Sequence, residues 1–389
     1  MWLIAHDVLI GNELLEQCRK MNVLIINAIV YTAESEKISR ANSIKDTMIY
    51  DLCLAFHEAG HNVVLYAAEP YKPLCDEKYP FDVIWGECKF NCLFKPHRIP
   101  FMPGLYRYLR ENHDSFDLII SSEVFSLCSL MAVGVANKKL LIWHELAKHN
   151  KMLRSIPSHI WYNVIARICM RNTRVVARSV EAKDFIGKYC INTLDVIVDH
   201  GVNLSKFIPA SRKEDSFVVC SQLIARKRVD GILDKFSEYI KKTGAQTKLY
   251  LIGDGDQKAF LQKKSKELHL DNQVVFLGRM CHEELIEYLS RAKALLINTC
   301  KDNSMISIVE SIAVGTPVVT TEVPLNVSYI KKYKLGIAAE WTDKDLIDVV
   351  KNNDEYVRNC LNYREILSND AKVREFIDIS GVESHIDGA

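Results

Sequence analysis

The sequence is poor in glycine, has no long apolar run and has no excess of either charge. Its 389 residues include 16 Gly, below the usual share of about 7%. Lys and Arg together number 50 and Asp and Glu 49, so the formal net charge is +1. This balance argues against a general nucleic-acid binder, which would carry a strong basic excess. No apolar run approaches the roughly 18–20 residues that a membrane-spanning helix needs.

The cysteines form no recognisable zinc or disulfide pattern. Twelve Cys are scattered along the chain, and the closest pair, Cys88 and Cys92, has neither a second pair nor a histidine couple nearby. We therefore predict no metal site. Scattered thiols are typical of small buried side chains in an intracellular protein. The first twenty residues lack the basic start, long apolar centre and cleavage site of a signal peptide, so we expect a cytoplasmic protein.

Short apolar, β-branched runs alternate with amphipathic segments along most of the chain. Runs that are apolar on both faces are typical of parallel strands covered by helices, and the alternation predicts right-handed βαβ units. The predicted strands are 23–26, 63–66, 118–120, 140–143, 175–176, 196–198, 217–219, 249–252, 274–276, 294–297 and 317–319. The amphipathic segments include 44–59, 229–242, 257–268 and 282–291.

Eleven strands make one very large sheet or two ordinary ones. A break at 200–210, followed by the polar run SRKEDS, favours an α/β fold with two Rossmann-like domains that face each other across a cleft. We predict a first domain over 1–200, with an extra segment at 1–21, and a second over 201–375. The remaining 376–389 are predicted to be a loose tail. In such sheets, ligands bind beyond the carboxyl ends of the strands.

The residues Gly253-Asp254-Gly255-Asp256 follow a predicted strand, and three interpretations remain once a dinucleotide motif is excluded. They fail the G-x-G-x-x-G dinucleotide pattern, which disfavours a nicotinamide enzyme. The two acids fit a D-x-D motif that binds a divalent metal with a nucleotide diphosphate. The glycines also allow close approach of the backbone to a phosphate. The third interpretation is a glycine turn whose acids cap the next helix.

The stretch 298–321, NTCKDNSMISIVESIAVGTPVVTT, carries the clearest signal of a site. A strand, a polar loop and a helix follow one another, and Gly315-Thr316-Pro317 ends the helix. Asp302 and Glu310 lie eight residues apart, which is about two helical turns and a similar azimuth. Backbone amides at the positive end of this helix form a predicted anion site. They belong to Asn303, Ser304, Met305 and Ile306.

These motifs, taken in order, resemble those of the retaining GT-B glycosyltransferases of family 4. Asp302 and Glu310 stand at the two positions of the family's acidic-x7-acidic pattern. Further segments that resemble family motifs are 60–63, 141–145, 200–203, 221–223, 227–230, 251–254 and 276–278. The resemblance spans about 22–340 and is stronger in the second half.

The resemblance implies a hexosyltransferase-type enzyme that takes its sugar from a UDP- or GDP-sugar, usually without a bound metal. It also implies a role for each matching residue. Lys227, assisted by Arg226 or Arg228, would offset the charge of the leaving diphosphate. The predicted catalytic residues are His144, which would contact the transferred sugar, Lys227, and Asp302, which would accept a hydroxyl of the donor sugar. The predicted donor-binding residues are Gln222, Arg226, Lys227, Gly253, Arg279, Met280, Asn303, Ser304, Met305, Ile306 and Glu310.

Among these, Glu310 would accept the ribose hydroxyls, and the backbone of Arg279 and Met280 would contact the base.

The chain departs from the family at two places. Gln222 replaces an arginine, and a neutral amide adds no charge to the diphosphate site. The segment 30–42 replaces the family's glycine-rich loop and contains no glycine, so we expect side chains such as Arg40 to make contacts there.

Two further acids lie near predicted strand ends in the first half. Glu145 follows His144 and is interpreted as an acid at a helix start. Glu123, after another predicted strand, is a weaker candidate for the acceptor side.

Two segments of the first half, 94–110 and 148–174, are basic and aromatic. Such a face can lie on an anionic bilayer, as a lipid-linked acceptor would require. The alternative is a pair of core helices whose basic side chains reach solvent. The first interpretation predicts peripheral contact at the inner face of the membrane.

Three functions follow from the sequence. The first is transfer of a sugar to a saccharide or lipid-linked acceptor in the synthesis of a bacterial surface polysaccharide or glycolipid. The second is a nucleotide-sugar epimerase of the same fold, which would need no acceptor. The third is a non-catalytic protein that binds sugar nucleotides.

Overall fold

The computed structural model describes residues 20–31, 38, 40–150, 152–302 and 304–381, with only the backbone at 152 and 153. Nearly all of the predicted extra segment at 1–21 lies outside this part of the chain. The chain divides into two compact α/β units. The first comprises the chain up to Asp199 and the segment from Val373 onward, and the second is His200–Lys372. No helix within the described ranges is both long and apolar enough to cross a membrane.

The first unit contains seven parallel strands in the order β3-β2-β1-β4-β5-β6-β7. These are β1 Asn22–Ile26, β2 Asn62–Ala68, β3 Asp82–Gly86, β4 Leu118–Ser122, β5 Leu140–His144, β6 Arg174–Ala177 and β7 Thr193–Ile197. The helices are α1 Met48–Glu58, α2 Pro103–Asn112, α3 Leu127–Ala136, α4 Ile156–Ile160, α5 Arg167–Cys169 and α6 Val180–Ile186, with a π-helical turn at Trp161–Ala166 between α4 and α5.

The second unit contains six parallel strands in the order β10-β9-β8-β11-β12-β13. These are β8 Ser216–Cys220, β9 Lys248–Ile252, β10 Val274–Gly278, β11 Ala294–Leu296, β12 Val318–Thr320 and β13 Gly336–Ala338. The helices are α7 Val229–Thr243, α8 Lys258–Glu267, α9 His282–Arg291, α10 Ile306–Ala313, α11 Val327–Tyr333, α12 Asp343–Lys351 and α13 Asn353–Tyr363. A last helix, α14 Asn369–Ser380, begins in this unit and ends in the first.

Two Rossmann-like domains are therefore confirmed, and the eleven predicted strands all form. The central strands carry the strongest pattern because helices cover both of their faces: every residue of β5, LLIWH, is buried. The prediction missed β3 and β13. Both are edge strands, with the short sequences DVIWG and GIA, and edge strands need no continuous apolar run.

The C-terminal end of the described chain corrects the predicted loose tail. Helix α14 extends to Ser380, and the side chain of Phe376 is wholly buried in the first unit. Its ring lies 5.3 Å from that of Trp143 and 6.2 Å from that of Phe56, measured between centroids. The carbonyl of Ser380 accepts a 2.7 Å hydrogen bond from Arg174. Residues 376–381 are therefore part of the first unit, and 382–389 lie outside the described residues.

Candidate functional site

In the second unit, the loops that follow β8 and β11 meet beyond the carboxyl ends of these neighbouring parallel strands. The carbonyl of Arg226, in the first loop, accepts a hydrogen bond from the amide of Cys300 at 3.0 Å, and Thr299 Oγ1 lies 3.2 Å from the same oxygen. A 3₁₀ turn at Ala225–Lys227 precedes α7, and Arg228 adopts a left-handed conformation between them. These contacts fix Arg226 and Lys227 against the second loop.

Asp302 joins these loops electrostatically. Its carboxylate accepts hydrogen bonds from the guanidinium of Arg226, from Lys227 Nζ at 2.8 Å and from Thr299 Oγ1 at 2.6 Å. The side chains of Asp302 and Lys227 are only 12% and 10% exposed, whereas that of Arg226 is 40% exposed. We call Arg226, Lys227, Thr299 and Asp302 the Asp302 cluster.

The electrostatics of the Asp302 cluster favour an ionised carboxylate. Burial alone raises the pKa of Asp302, but the hydrogen bonds from Lys227, Thr299 and Arg226 outweigh it and lower the pKa below its ordinary value. Asp302 therefore remains charged at neutral pH and neutralises part of the basic pair. An anion that binds to Lys227 must compete with this carboxylate.

Helix α10 begins at Ile306, so Asp302 lies in the loop before it and Glu310 lies in its second turn. Glu310 is 8% exposed, and its Oε1 lies 2.9 Å from Nε2 of His282, the first residue of α9. The sequence analysis missed His282. It directly follows the segment 279–281 after β10, but nothing in its local sequence signals a partner 28 residues away.

The predicted amide cap at the start of α10 is partly engaged. The Met305 amide donates to Asn326 Oδ1 at 2.6 Å, while the first amides of any α-helix have no carbonyl of an earlier turn to bond. Ser304 and Ile306 flank Met305, and Asn303 lies outside the described residues. Lys227 and Met305 both line one small cavity, so the Asp302 cluster and this helix end border the same space.

Gly253 and Gly255 allow the loop after β9 to pack closely on the loop after β8. A Cβ atom at Gly253, where φ is +130°, would lie 2.0 Å from the carbonyl oxygen of Ser221, and one at Gly255 would lie 2.3 Å from that of Leu223. The amide of Gly253 donates to the carbonyl of Gly278 at 2.8 Å. The backbone of Gly253 is thus engaged within the sheet, and its predicted contact with the donor stays a prediction.

The acids of the glycine turn behave as turn residues. Asp254 accepts a hydrogen bond from the amide of Gly255 at 2.9 Å and lies 3.5 Å from Lys258 Nζ. The hydrogen bond from Gly255, supported by Lys258 and Arg279, lowers the pKa of Asp254. These contacts favour the turn interpretation over the D-x-D motif.

The other predicted donor-binding residues surround the same loops. Gln222 is exposed, and its carbonyl accepts from the Ile224 amide at 3.0 Å. Met280 packs against the apolar core of the unit, and Arg279 is close enough to Asp254 to affect its pKa.

In the first unit, His144 ends β5 and its side chain is wholly buried. Its Nδ1 lies 2.9 Å from Glu123 Oε2, and Oε1 of Glu123 accepts from the amide of Glu145 at 2.8 Å. The ring packs against those of Tyr162 and Phe185, and the predicted contact of His144 with the transferred sugar stays a prediction.

Glu123 follows β4 with a left-handed φ of +68°, a conformation that costs a non-glycine residue roughly 1–2 kcal/mol. The amide of Glu123 donates to the Trp143 carbonyl at 3.1 Å, and its carbonyl accepts from Ser129 Oγ at 2.6 Å. Burial alone raises the pKa of Glu123, but the charge and hydrogen bond of His144, with the charge of Arg178, outweigh it and lower the pKa.

Glu145 is not at a helix start, because the next helical turn begins only at Met152. Its carboxylate instead accepts from Arg178 Nη1 at 2.9 Å, and the Arg178 guanidinium lies 3.6 Å from the centroid of the Trp143 ring. We call Glu123, His144, Glu145 and Arg178 the strand-end network.

A cavity of about 500 Å³ lies against the strand-end network, within the first unit. Glu123, Glu145 and Arg178 line it, whereas His144 lies behind Glu123. Apolar side chains such as Phe125 and polar ones such as Asn27 contribute to the same wall. The cavity is large enough for a saccharide and carries both charges on its wall.

The chain matches two family models that together span 46–370. The model described as Glycosyltransferase Family 4 matches residues 46–206, and that described as Glycosyl transferases group 1 matches 203–370. The strand-end network lies in the first match, and the Asp302 cluster lies in the second.

Named relatives match over part of their length. N-acetyl-alpha-D-glucosaminyl L-malate synthase of Bacillus anthracis is 28% identical over 120 residues, which is 31% of this chain and 30% of that protein. Alpha-monoglucosyldiacylglycerol synthase of Streptococcus pneumoniae is 21% identical over 161 residues, 37% and 36% of the two chains. The chain therefore spans about a third of the length of these relatives.

A solved structure matches much more of the chain. The structure of Anabaena Alr3699/HepE in complex with UDP superposes with a TM-score of 0.63, at 12% identity, over 92% of this chain and 99% of that one. At this identity the likeness shows the fold alone.

Proposed function

Because this chain belongs to the family 4 glycosyltransferases of the GT-B fold, we propose that it transfers a sugar from a UDP- or GDP-sugar, with retention of configuration. The acceptor is a saccharide or a lipid-linked molecule of bacterial surface polysaccharide or glycolipid synthesis. The Asp302 cluster, which lies beside the start of α10 with Glu310 one turn further on, is the observation that carries this proposal.

The donor diphosphate binds between Lys227 and the amino end of α10. A lysine ammonium and helix-end amides supply the positive potential that a leaving diphosphate needs. The low exposure of Lys227 strengthens this effect because less water screens the charge. In this scheme the diphosphate takes over the ammonium from Asp302, and the released carboxylate turns to a hydroxyl of the donor sugar.

Glu310 accepts the ribose hydroxyls, and His282 holds the carboxylate in place. Arg279 and Met280, whose backbone contacts the base, lie just before His282 in the chain. The contacts to the base and the residue that holds Glu310 therefore come from adjoining positions. The UDP complex of the Anabaena protein supports a nucleotide-diphosphate site in this fold.

In the reaction we propose, the acceptor oxygen forms a bond to the anomeric carbon while the bond to the diphosphate oxygen breaks. The departing diphosphate oxygen takes the proton of the acceptor hydroxyl. We assign the cavity beside Glu123 to the acceptor saccharide. The name of the Streptococcus relative, a diacylglycerol glycoside synthase, supports a lipid-linked acceptor, which would bring this protein to the inner face of a membrane.

A panel of UDP- and GDP-sugars tests the proposal through donor hydrolysis and transfer. We expect one donor to turn over, and Glu310→Gln to raise the KM for that donor about 10- to 100-fold, since a hydrogen bond to a charged group is worth about 1.5–3 kcal/mol. Glu267→Gln, at an exposed acid of α8, is the matched control and leaves the KM unchanged.

Two results contradict the proposal. If no donor turns over while UDP or GDP still stabilises the protein thermally, the chain is a non-catalytic binder. If the donor sugar is converted to its epimer without an acceptor, as shown by NMR of the products, the chain is an epimerase.

A further inference from the structure

The segment from α4 through the π-helical turn to α5 presents one face to the core and another to the outside. Trp161 and Tyr162 are buried on the inner face, and the Trp161 indole donates to the carbonyl of Val124 at 2.8 Å. The outer face carries large aliphatic side chains that are 58, 55, 48 and 73% exposed in chain order. They are Ile156, Ile160, Val164 and Ile168.

These four residues recur at every fourth position, and the π-helical turn keeps them in one row. In an α-helix each residue advances by about 100°, so every fourth residue drifts by about 40° around the axis. A π-helical turn has i→i+5 hydrogen bonds and therefore advances less per residue. The turn at Trp161–Ala166 offsets the drift between Ile160 and Ile168. We call the four side chains the aliphatic stripe.

The surroundings of the aliphatic stripe are basic. The sequence from 146 to 180 contains no Asp or Glu but seven Lys and Arg, although the net charge of the chain is only +1. Arg154, Arg167 and Arg171 are exposed on the same segment. Exposed aliphatic side chains beside basic ones are the composition that binds an anionic lipid surface.

We propose that the aliphatic stripe and its flanking arginines dock the protein onto an anionic lipid bilayer. The aliphatic side chains enter the boundary between headgroups and acyl chains, and the arginines contact the headgroup phosphates. A second copy of the chain does not fit this surface, because the basic residues of the two copies would face and repel each other. The surface deepens the membrane contact of the proposed function but depends on no residue of the donor site.

Flotation of the full-length protein with vesicles tests the docking surface. We expect binding to vesicles of phosphatidylcholine with phosphatidylglycerol, weak binding to phosphatidylcholine alone, and loss of binding as salt screens the arginines. The variant Ile160→Ser/Ile168→Ser removes two exposed side chains and lowers the partition coefficient about tenfold or more. Arg154→Gln/Arg171→Gln weakens binding to the anionic vesicles alone.

Matched controls come from the second unit. Ile208 is 74% exposed, and Ile208→Ser should float like the wild type, as should Arg212→Gln. Equal binding to neutral and anionic vesicles, unchanged flotation of the stripe variant, or no flotation of the wild type overturns the proposal. Donor hydrolysis without vesicles, measured on the same variants, should equal that of the wild type, so failure of the donor site is seen separately.

Discussion

Each unit places a group of ionic side chains at the carboxyl ends of parallel strands, and the two groups differ in which charges are left exposed. In the strand-end network, His144 is wholly buried and the Arg178 side chain is 8% exposed. In the Asp302 cluster, Arg226 is 40% exposed and Asp302 holds two cations by itself. In the strand-end network each charge has a partner of opposite sign, so we call it closed and expect it to support the fold, although Glu123 and Glu145 also line the cavity. A partly open cluster can exchange one of its charges for a ligand.

The largest expected effect concerns the open cluster. Lys227→Ala removes the buried ammonium, and we expect kcat/KM for the donor to fall about 10³-fold, or about 4 kcal/mol, since charge stabilisation at a leaving group is worth this much in enzymes. Initial rates measure the effect. The free energy of unfolding should change little, because Asp302 keeps Arg226 and Thr299 as partners.

The matched control is Lys263→Ala, whose ammonium is on an exposed side chain of α8. Equal rates for wild type and Lys227→Ala would remove the distinction between the two networks, because the open cluster would then be structural as well.

The closed network should show the opposite effect. Glu123→Gln leaves His144 without its carboxylate, whereas Arg178 keeps Glu145. We expect a loss of about 2–3 kcal/mol in the free energy of unfolding at pH 7, below the range for a fully buried pair because the Glu123 side chain is 26% exposed. Urea denaturation measures it. Glu58→Gln, at an exposed acid of α1, serves as the control.

The direction of the pKa shift of Glu123 determines how its contribution to stability depends on pH. The folded state lowers the pKa of Glu123, so its stabilisation is fully present above the ordinary Glu value of roughly 4.3 and is lost as the pH falls through the lower folded value. The stability difference between wild type and Glu123→Gln should therefore shrink below about pH 4.3. A difference that grows in acid would contradict the role of Glu123.

The smallest effect separates the two roles of Asp302. Asp302→Asn removes the charge that competes for Lys227, so we expect UDP or GDP to bind about 3- to 10-fold more tightly, on the order of 1 kcal/mol, while transfer of the sugar slows. Calorimetry with free nucleotide and initial rates measure the two effects. Weaker nucleotide binding would show that Asp302 positions the cations rather than competing with the diphosphate.

The sequence analysis predicted the fold more fully than the contacts of the site. Strands such as β5 are apolar on both faces, and this pattern is local. The basic partners of Asp302 lie 75 and 76 residues away in the chain, and the partner of Glu310 lies 28 away. Local periodicity carries no information on such pairs, so the motifs located the loops without showing which charges meet.

The role of His144 stays a prediction for a related reason. A histidine at the carboxyl end of a strand can point to the ligand side or into the helix layer, and one residue of register decides which. In the structure the His144 ring is buried, and Glu123 lines the cavity. The unusual backbone of Glu123, with a positive φ, had no signal in the sequence.

The path of α14 has a practical consequence for separating the halves. The chain leaves the first unit at Asp199 and returns to it at Val373. A protein cut at residue 199 would therefore lack Phe376, and the aromatic slot between Trp143 and Phe56 would stand empty. An isolated first unit would need helix α14 joined to residue 199 by a short linker in order to fold as it does in the whole chain.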